Sequence, residues 1–280
     1  MNYTDRLKEA IRNAGSCLCV GLDPDLDRIP DSIKKESDSK PEQVVSFLKS
    51  VIENTKNHCA AYKPNLGFFE ALGGEGLDVF QEVLSYIPAD KIIVADIKRG
   101  DISSTAKHYA KAYFEKFDVD AITINPLMGF ESLEPFLDYP GKGVYTLTLT
   151  SNPGAGDFLL KPFEGFPTMA AYIAKKLAEL QQNNPTHLGM VIGATKAESM
   201  GEVIRLNTKA SLLIPGIGTQ GGAVRDLQDA LKNHSGIPLI NSSRSILYAG
   251  EGKPNWKEAV QYKSHDLKEA LTSITSTYVG

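Results

Sequence analysis

Eight short apolar runs recur along the 280 residues, each followed by a segment with helical spacing or by a turn-rich stretch that leads to the next run. The runs are Cys17–Leu22, His58–Tyr62, Ile92–Ala95, Val119–Ile124, Gly143–Leu149, Leu188–Ile192, Ser211–Ile214 and Ile237–Ile240. They are nearly continuous rather than alternating, as strands buried on both faces are. Between them, Pro41–Lys56, Leu77–Ile87, Ile102–Phe117, Phe130–Leu137, Thr168–Gln182 and Gly222–Asn233 read as helices. Thr195 and Glu198 have the spacing of a capping box for one more. Asn2–Ala14 is a leading helix ended by Gly15, and Trp256–Ile274 a terminal one. Strand–helix alternation demands parallel pairing through right-handed crossovers. Eight such units in one chain of this length predict a single (β/α)8 barrel domain over residues 1–280, with an open doubly wound sheet as the alternative. Asp31–Lys40 is a polar excursion, and the Gly-rich stretch 154–167 a long loop of the kind that is often functional.

The barrel reading decides where chemistry is sought, because ligand sites in parallel barrels lie at the carboxyl ends of the strands. Those ends carry Asp23, Lys63, Asp96 with Lys98 and Asp101, Asn125, Ser151, Gln220 and Arg244. The densest cluster follows Ile92–Ala95. If that strand reaches Lys98, then Asp96 and Lys98 share a face. Gly100 breaks the strand, and Asp101 is placed to cap the next helix. Two carboxylates around one ammonium favour its charged form, so Lys98 is expected to donate a proton rather than attack as a free amine. Lys63 has no local counter-charge, and its partner must come from another strand end, such as Asp23 or Asp96.

Gly216 to Gly221 spells G-x-G-x-x-G after a strand and before a helix, but no acidic residue lies between Asp229 and Glu251 to hold a ribose. A phosphate at the loops after strands seven and eight fits better, gripped by backbone N–H groups and by Arg244. The five histidines all lie away from strand carboxyl ends and read as structural or surface residues. Neither a metal nor another cofactor is expected. The net charge of −4 and pI of about 5.8 argue against nucleic acid as the main partner. No apolar run is long enough for a membrane span. Cys17, Cys19 and Cys59 form an odd set of apolar-run cysteines, and the polar N-terminus lacks a signal-peptide core, so a cytoplasmic protein is expected.

Taken together, these strand ends resemble those of the orotidine 5′-phosphate decarboxylase family, in its longer bacterial branch. D-I-K-R-G-D matches the family's D-x-K-x-x-D at Asp96, Lys98 and Asp101. V-G-L-D-P-D, K-P-N, T-S-N-P-G, P-G-I-G-T-Q-G-G and S-R-S follow in the family's order, from Val20 to Leu247. The resemblance implies cofactor-free decarboxylation of orotidine 5′-monophosphate to UMP, the last step of de novo synthesis. It implies a charged network of Lys63, Asp96, Lys98 and Asp101, with Lys98 as the proton donor to C6. Asp96 would lie near the substrate carboxylate, Asp23 and Lys63 near the ribose hydroxyls, and Ser151 against the pyrimidine. Pro215 would line the substrate, and Gln220 and Arg244 would hold the phosphate. Asp101 and Thr105 would reach the neighbouring subunit's site in a homodimer. A metal-dependent sugar-acid phosphate decarboxylase of the same superfamily, or a non-catalytic phosphate-binding barrel, are the competing readings. The Asp31–Lys40 insertion and the extended loop after Ser151 depart from the family's shorter branch.

Overall fold

The computed structural model describes residues 1–194, 197–216 and 221–279. Eight parallel strands close into a barrel in sequence order: β1 Leu18–Leu22, β2 Ala61–Pro64, β3 Ile92–Arg99, β4 Ala121–Ile124, β5 Gly143–Leu149, β6 His187–Ile192, β7 Leu212–Pro215 and β8 Pro238–Ser242. β1 pairs with β8 through Leu18↔Ile240 and Cys19↔Asn241, which shuts the sheet and removes its edges. The expected (β/α)8 barrel is therefore the fold, and the open sheet is not.

Local chemistry sets the helix limits. Asn2 caps Tyr3–Ala14 through a hydrogen bond from Asp5 N–H, and Gly15 ends it at φ 61°. Ser39 caps Lys40–Thr55 and Thr168 caps Met169–Gln181 in the same way. Several expectations need correction. The second strand begins at Ala61, not His58, because His58 N–H closes a turn on Thr55 and the helix before it has only just ended. The polar excursion holds a helical turn, Asp31–Lys34, anchored by buried Ile33. The stretch between β2 and the next expected helix, which carried no predicted element, contains the short helix Leu66–Glu70, capped by Asn65. Phe130–Leu137 is not one helix but successive 3₁₀ turns, since Pro135 withholds the N–H a longer helix needs. The C-terminal segment splits at Leu271 into Trp256–Ala270 and Thr272–Val279. The helix after β3, Ser103–Ala110, continues as a π-helical turn, Lys111–Lys116.

The leading helix plugs the amino-terminal end of the barrel. Tyr3 is buried, hydrogen-bonds Tyr145 of β5 through the two hydroxyls at 3.0 Å, and stacks on His187 at the start of β6. His187 Nε2 accepts the Ser211 N–H at 3.2 Å, a bond that only a ring without a proton on that nitrogen can make. Burial pushes the imidazole down to about 4. The unfolded ring titrates near 6.5, so the folded state binds fewer protons between these values. The stability this ring contributes is complete above pH 6.5 and is lost as pH falls toward 4, up to about 3 kcal/mol. Urea unfolding across this window is expected to show that slope in the wild type and a shallower one in His187→Gln. Equal slopes would assign the acid sensitivity elsewhere.

Candidate active site

At the opposite end of the barrel, β3 turns from apolar to charged. Ala95 pairs with Ile122 and Arg99 with Ile124, so β3 advances from Ala95 to Arg99 while β4 advances only from Ile122 to Ile124. The surplus bulges out of the ladder, a device that re-aims side chains. Lys98 sits in the bulge with φ 46°, a left-handed conformation uncommon for a residue with a Cβ. Asp96 and Lys98 do converge on one side as expected, but through this bulge and not through regular pleat alternation.

Asp96 is the hub. Its Oδ2 accepts a hydrogen bond from Lys63 Nζ on β2 at 2.6 Å. Its Oδ1 accepts from Lys98 Nζ at 2.6 Å and from Thr123 Oγ1 on β4 at 2.8 Å. Burial alone would raise this carboxyl, but the Lys63 and Lys98 ammonium groups overcome it and hold it at about 2. Lys63 is likewise buried, which disfavours its charge, yet Asp96 and Asp23 together raise its pKa above the ordinary lysine value. The lysine without a local counter-charge thus finds its partners on β3 and beyond β1. Lys98 differs from Lys63 in access: its side chain is 48% exposed, so one face of the ammonium stays open to the cavity.

That cavity, about 620 Å³, occupies the carboxyl-terminal mouth, a size suited to a small ligand. Lys63, Asp96 and Lys98 form one wall, and Leu147, Val191 and Leu213, from β5, β6 and β7, form an apolar wall opposite. Asp23 lines it with its Oδ1 buried and unpartnered among the described residues. The loop carrying Asp23 is pinned by Tyr248, whose hydroxyl accepts from Asp25 N–H at 2.7 Å and donates to the Asp23 carbonyl at 3.0 Å. Two glycines make the mouth compact. A Cβ on Gly21 would lie 1.8 Å from Ser243 Oγ, and one on Gly193 would lie 2.6 Å from the Ser151 backbone nitrogen. Ser151, Pro215 and Arg244 also line the cavity. Arg244 is exposed and has no carboxylate partner among the described residues.

Other expected residues stand apart. Asp101 and Thr105 do not line the cavity. Asp101 does not cap the helix: its Oδ1 accepts from Ile102 N–H, the very next residue, and the N-cap position falls on Ile102. Asn125 points away as well, and its Oδ1 accepts from Leu127 N–H to start a 3₁₀ turn. Gln220, most of the G-x-G-x-x-G segment and Thr195 of the capping box lie outside the described residues. Thr123 and Asn241 line the cavity without having been singled out for it. The available signal for Thr123 was a hydroxyl side chain one residue from the carboxyl end of the run Val119–Ile124, among Ala121, Ile122 and Ile124. Among the described residues, no three His, Cys, Asp or Glu side chains are grouped so as to hold a metal, and no helix is long and apolar enough to cross a membrane.

Residues 16–259 match the family model described as orotidine 5′-phosphate decarboxylase / HUMPS family. The chain is 40% identical over 276 residues to the orotidine 5′-phosphate decarboxylase of Christiangramia forsetii, covering 96% of this chain and 97% of that one. It is 38% identical to the protein of the same name from Leptospira interrogans, over 90% of each. Among solved structures it resembles the OMP decarboxylase of Leishmania donovani, with a TM-score of 0.76 and 32% identity over 94% of this chain and 99% of that one.

Proposed function

The chain belongs to the orotidine 5′-phosphate decarboxylase / HUMPS family, and from that premise we propose how its strand ends carry out the reaction. It is a carboxy-lyase that converts orotidine 5′-monophosphate to UMP and carbon dioxide in pyrimidine biosynthesis. The observation that carries the mechanism is the Lys63–Asp96–Lys98 ion chain on the cavity wall, with the Lys98 ammonium open to the ligand.

Breaking the bond between C6 and the carboxylate leaves its electron pair on C6, in the plane of the ring, where no π system absorbs it. The Lys98 ammonium stabilises that developing charge and transfers its proton to C6 as carbon dioxide departs, and solvent returns a proton to the amine. A fixed charge of this kind favours the transition state over the ground state, and so raises kcat. Asp96 has a double part. It orients both ammonium groups, and its ionised carboxylate lies beside the substrate's own carboxylate. Asp23, with an unpartnered buried oxygen, accepts a ribose hydroxyl alongside Lys63. Ser151 meets the pyrimidine, Pro215 lines it, and Arg244 with Gln220 holds the phosphate.

Asp101 and Thr105 serve the site of a second copy in a homodimer. Their position off their own cavity supports this, as does the apolar surface beside them: Ile102, Leu127 and Met128 are 42%, 60% and 53% exposed, on the loops after adjacent strands. The cytoplasm is the compartment this reading assigns, in keeping with three buried free thiols.

Purified protein mixed with orotidine 5′-monophosphate in the presence of a metal chelator is expected to shift the pyrimidine absorbance to that of UMP. No shift would sink the reading, and a shift abolished by the chelator alone would favour a metal-dependent relative.

A further inference from the structure

The mechanism above uses charged side chains, yet the group that joins two of them is neutral. Thr123 is 1% exposed, projects from β4 into the same cavity, and faces the bulge of β3. Its hydroxyl makes two bonds with different partners. The proton goes to Asp96 Oδ1 at 2.8 Å, and the oxygen accepts the backbone N–H of Lys98 at 3.0 Å.

The second bond explains how the bulge persists. Where β3 leaves the ladder, the N–H of Lys98 has no strand carbonyl to pair with. A buried N–H without an acceptor is costly, and a left-handed residue with a Cβ is strained and holds only when its surroundings fix it. Thr123 supplies the acceptor by a side chain. The first bond fixes the rotation of the Asp96 carboxylate, so that Oδ1 and Oδ2 are divided between Lys98 and Lys63.

We propose that Thr123 is a positioning residue for the decarboxylation: one hydroxyl locks the Asp96 carboxylate and the strained Lys98 backbone together, and thereby aims the Lys98 ammonium at the reacting carbon. Thr123 need not touch the substrate to do this. The inference rests on the assignment of Lys98 as proton donor, and it deepens that assignment by naming what sets the donor's aim. A donor displaced by a fraction of an ångström loses rate far more than it loses binding, because the contacts proposed for Arg244 and Asp23, to phosphate and ribose, do not run through Thr123.

Thr123→Val keeps the shape and removes both hydrogen bonds, and Thr123→Ser keeps the hydroxyl. Thr123→Val is expected to lower kcat about 30- to 100-fold, with KM for orotidine 5′-monophosphate and the Kd for UMP changed less than about threefold. Thr123→Ser is expected to recover most of the rate. The kcat-against-KM split and the rescue separate this role from mere packing, which the methyl group would serve equally well in valine. A valine variant with undiminished kcat, or a serine variant that falls as far as valine, overturns the proposal. Should Thr123→Val not fold, Thr123→Ala takes its place in the same comparison, with thermal unfolding as the check that it is native. Wild-type protein that does not decarboxylate at all would remove the underlying reading, a result distinct from an active wild type with an indifferent Thr123.

Discussion

Lys98→Ala is expected to lose about four orders of magnitude in kcat while still binding UMP. The expectation follows from where the two kinds of binding energy lie. Arg244 and Asp23 sit at the cavity's other edges, and the contacts proposed for them are to phosphate and ribose, which are the same in substrate and product. Of the two lysines that line the cavity, Lys98 is the one with an accessible ammonium, since Lys63 is buried and tied to Asp96, and it is the donor proposed for the reacting carbon. On the proposed mechanism, its loss removes both the electrostatic stabilisation of the C6 electron pair and the proton that captures it. Calorimetry with UMP and steady-state rates with orotidine 5′-monophosphate measure the two halves separately. A variant within tenfold of the wild-type kcat would show that another group is the acid. Lys98→Arg is a useful companion. It keeps the charge, but a planar guanidinium of much higher pKa is a poor proton donor, so it is expected to bind UMP and still not restore turnover.

The barrel was legible because period and length both pointed to it. Buried parallel strands leave apolar runs, and eight such runs, linked by helices and turn-rich stretches, have few other ways to close. The polar strand ends were legible for the same reason, since a charge directly after an apolar run has little structural use. Asp96, Lys98 and Lys63 were found that way, and the structure joins them. What escaped was chemistry that depends on register between strands. Thr123 looked like one more residue of a β4 run, and only the slip between β3 and β4 makes it the partner of Lys98 N–H. Asn125 failed in the opposite direction: it ends a strand as the others do, but its amide oxygen is consumed by the turn that follows. The three-residue step from Lys98 to Asp101 also misled a local reading. The chain leaves the mouth at Gly100, which packs so tightly that a Cβ there would lie 2.5 Å from the Asn125 carbonyl oxygen, and Asp101 emerges outside its own cavity.

That displacement of Asp101 leads to the second large effect. Asp101→Ala is expected to be nearly inactive as a pure protein, and an equimolar mixture of Asp101→Ala with Lys98→Ala is expected to regain activity that neither has alone. In a two-fold dimer, each site would draw Lys63, Asp96 and Lys98 from one subunit and Asp101 with Thr105 from the other. A mixed dimer then holds one site with neither group, and one with the Lys98 of the Asp101→Ala subunit and the Asp101 of the Lys98→Ala subunit. The latter is wild type in composition. Random assortment makes half of the dimers mixed, so about a quarter of all sites are restored. The measurement is kcat of the mixture after subunit exchange, made by mild denaturation and refolding together, against each variant treated alone. A quarter of the wild-type rate would place Asp101 across the interface. If instead Asp101 acted within its own subunit, every site in every mixed dimer would lack one of the two groups, and the mixture would stay as inactive as its components. The apolar surface of Ile102, Leu127 and Met128 supplies the companion test. Charging it by Leu127→Glu is expected to lower the molecular mass in solution to that of one chain and to abolish turnover with it, because a lone barrel leaves its Asp101 facing no one's cavity.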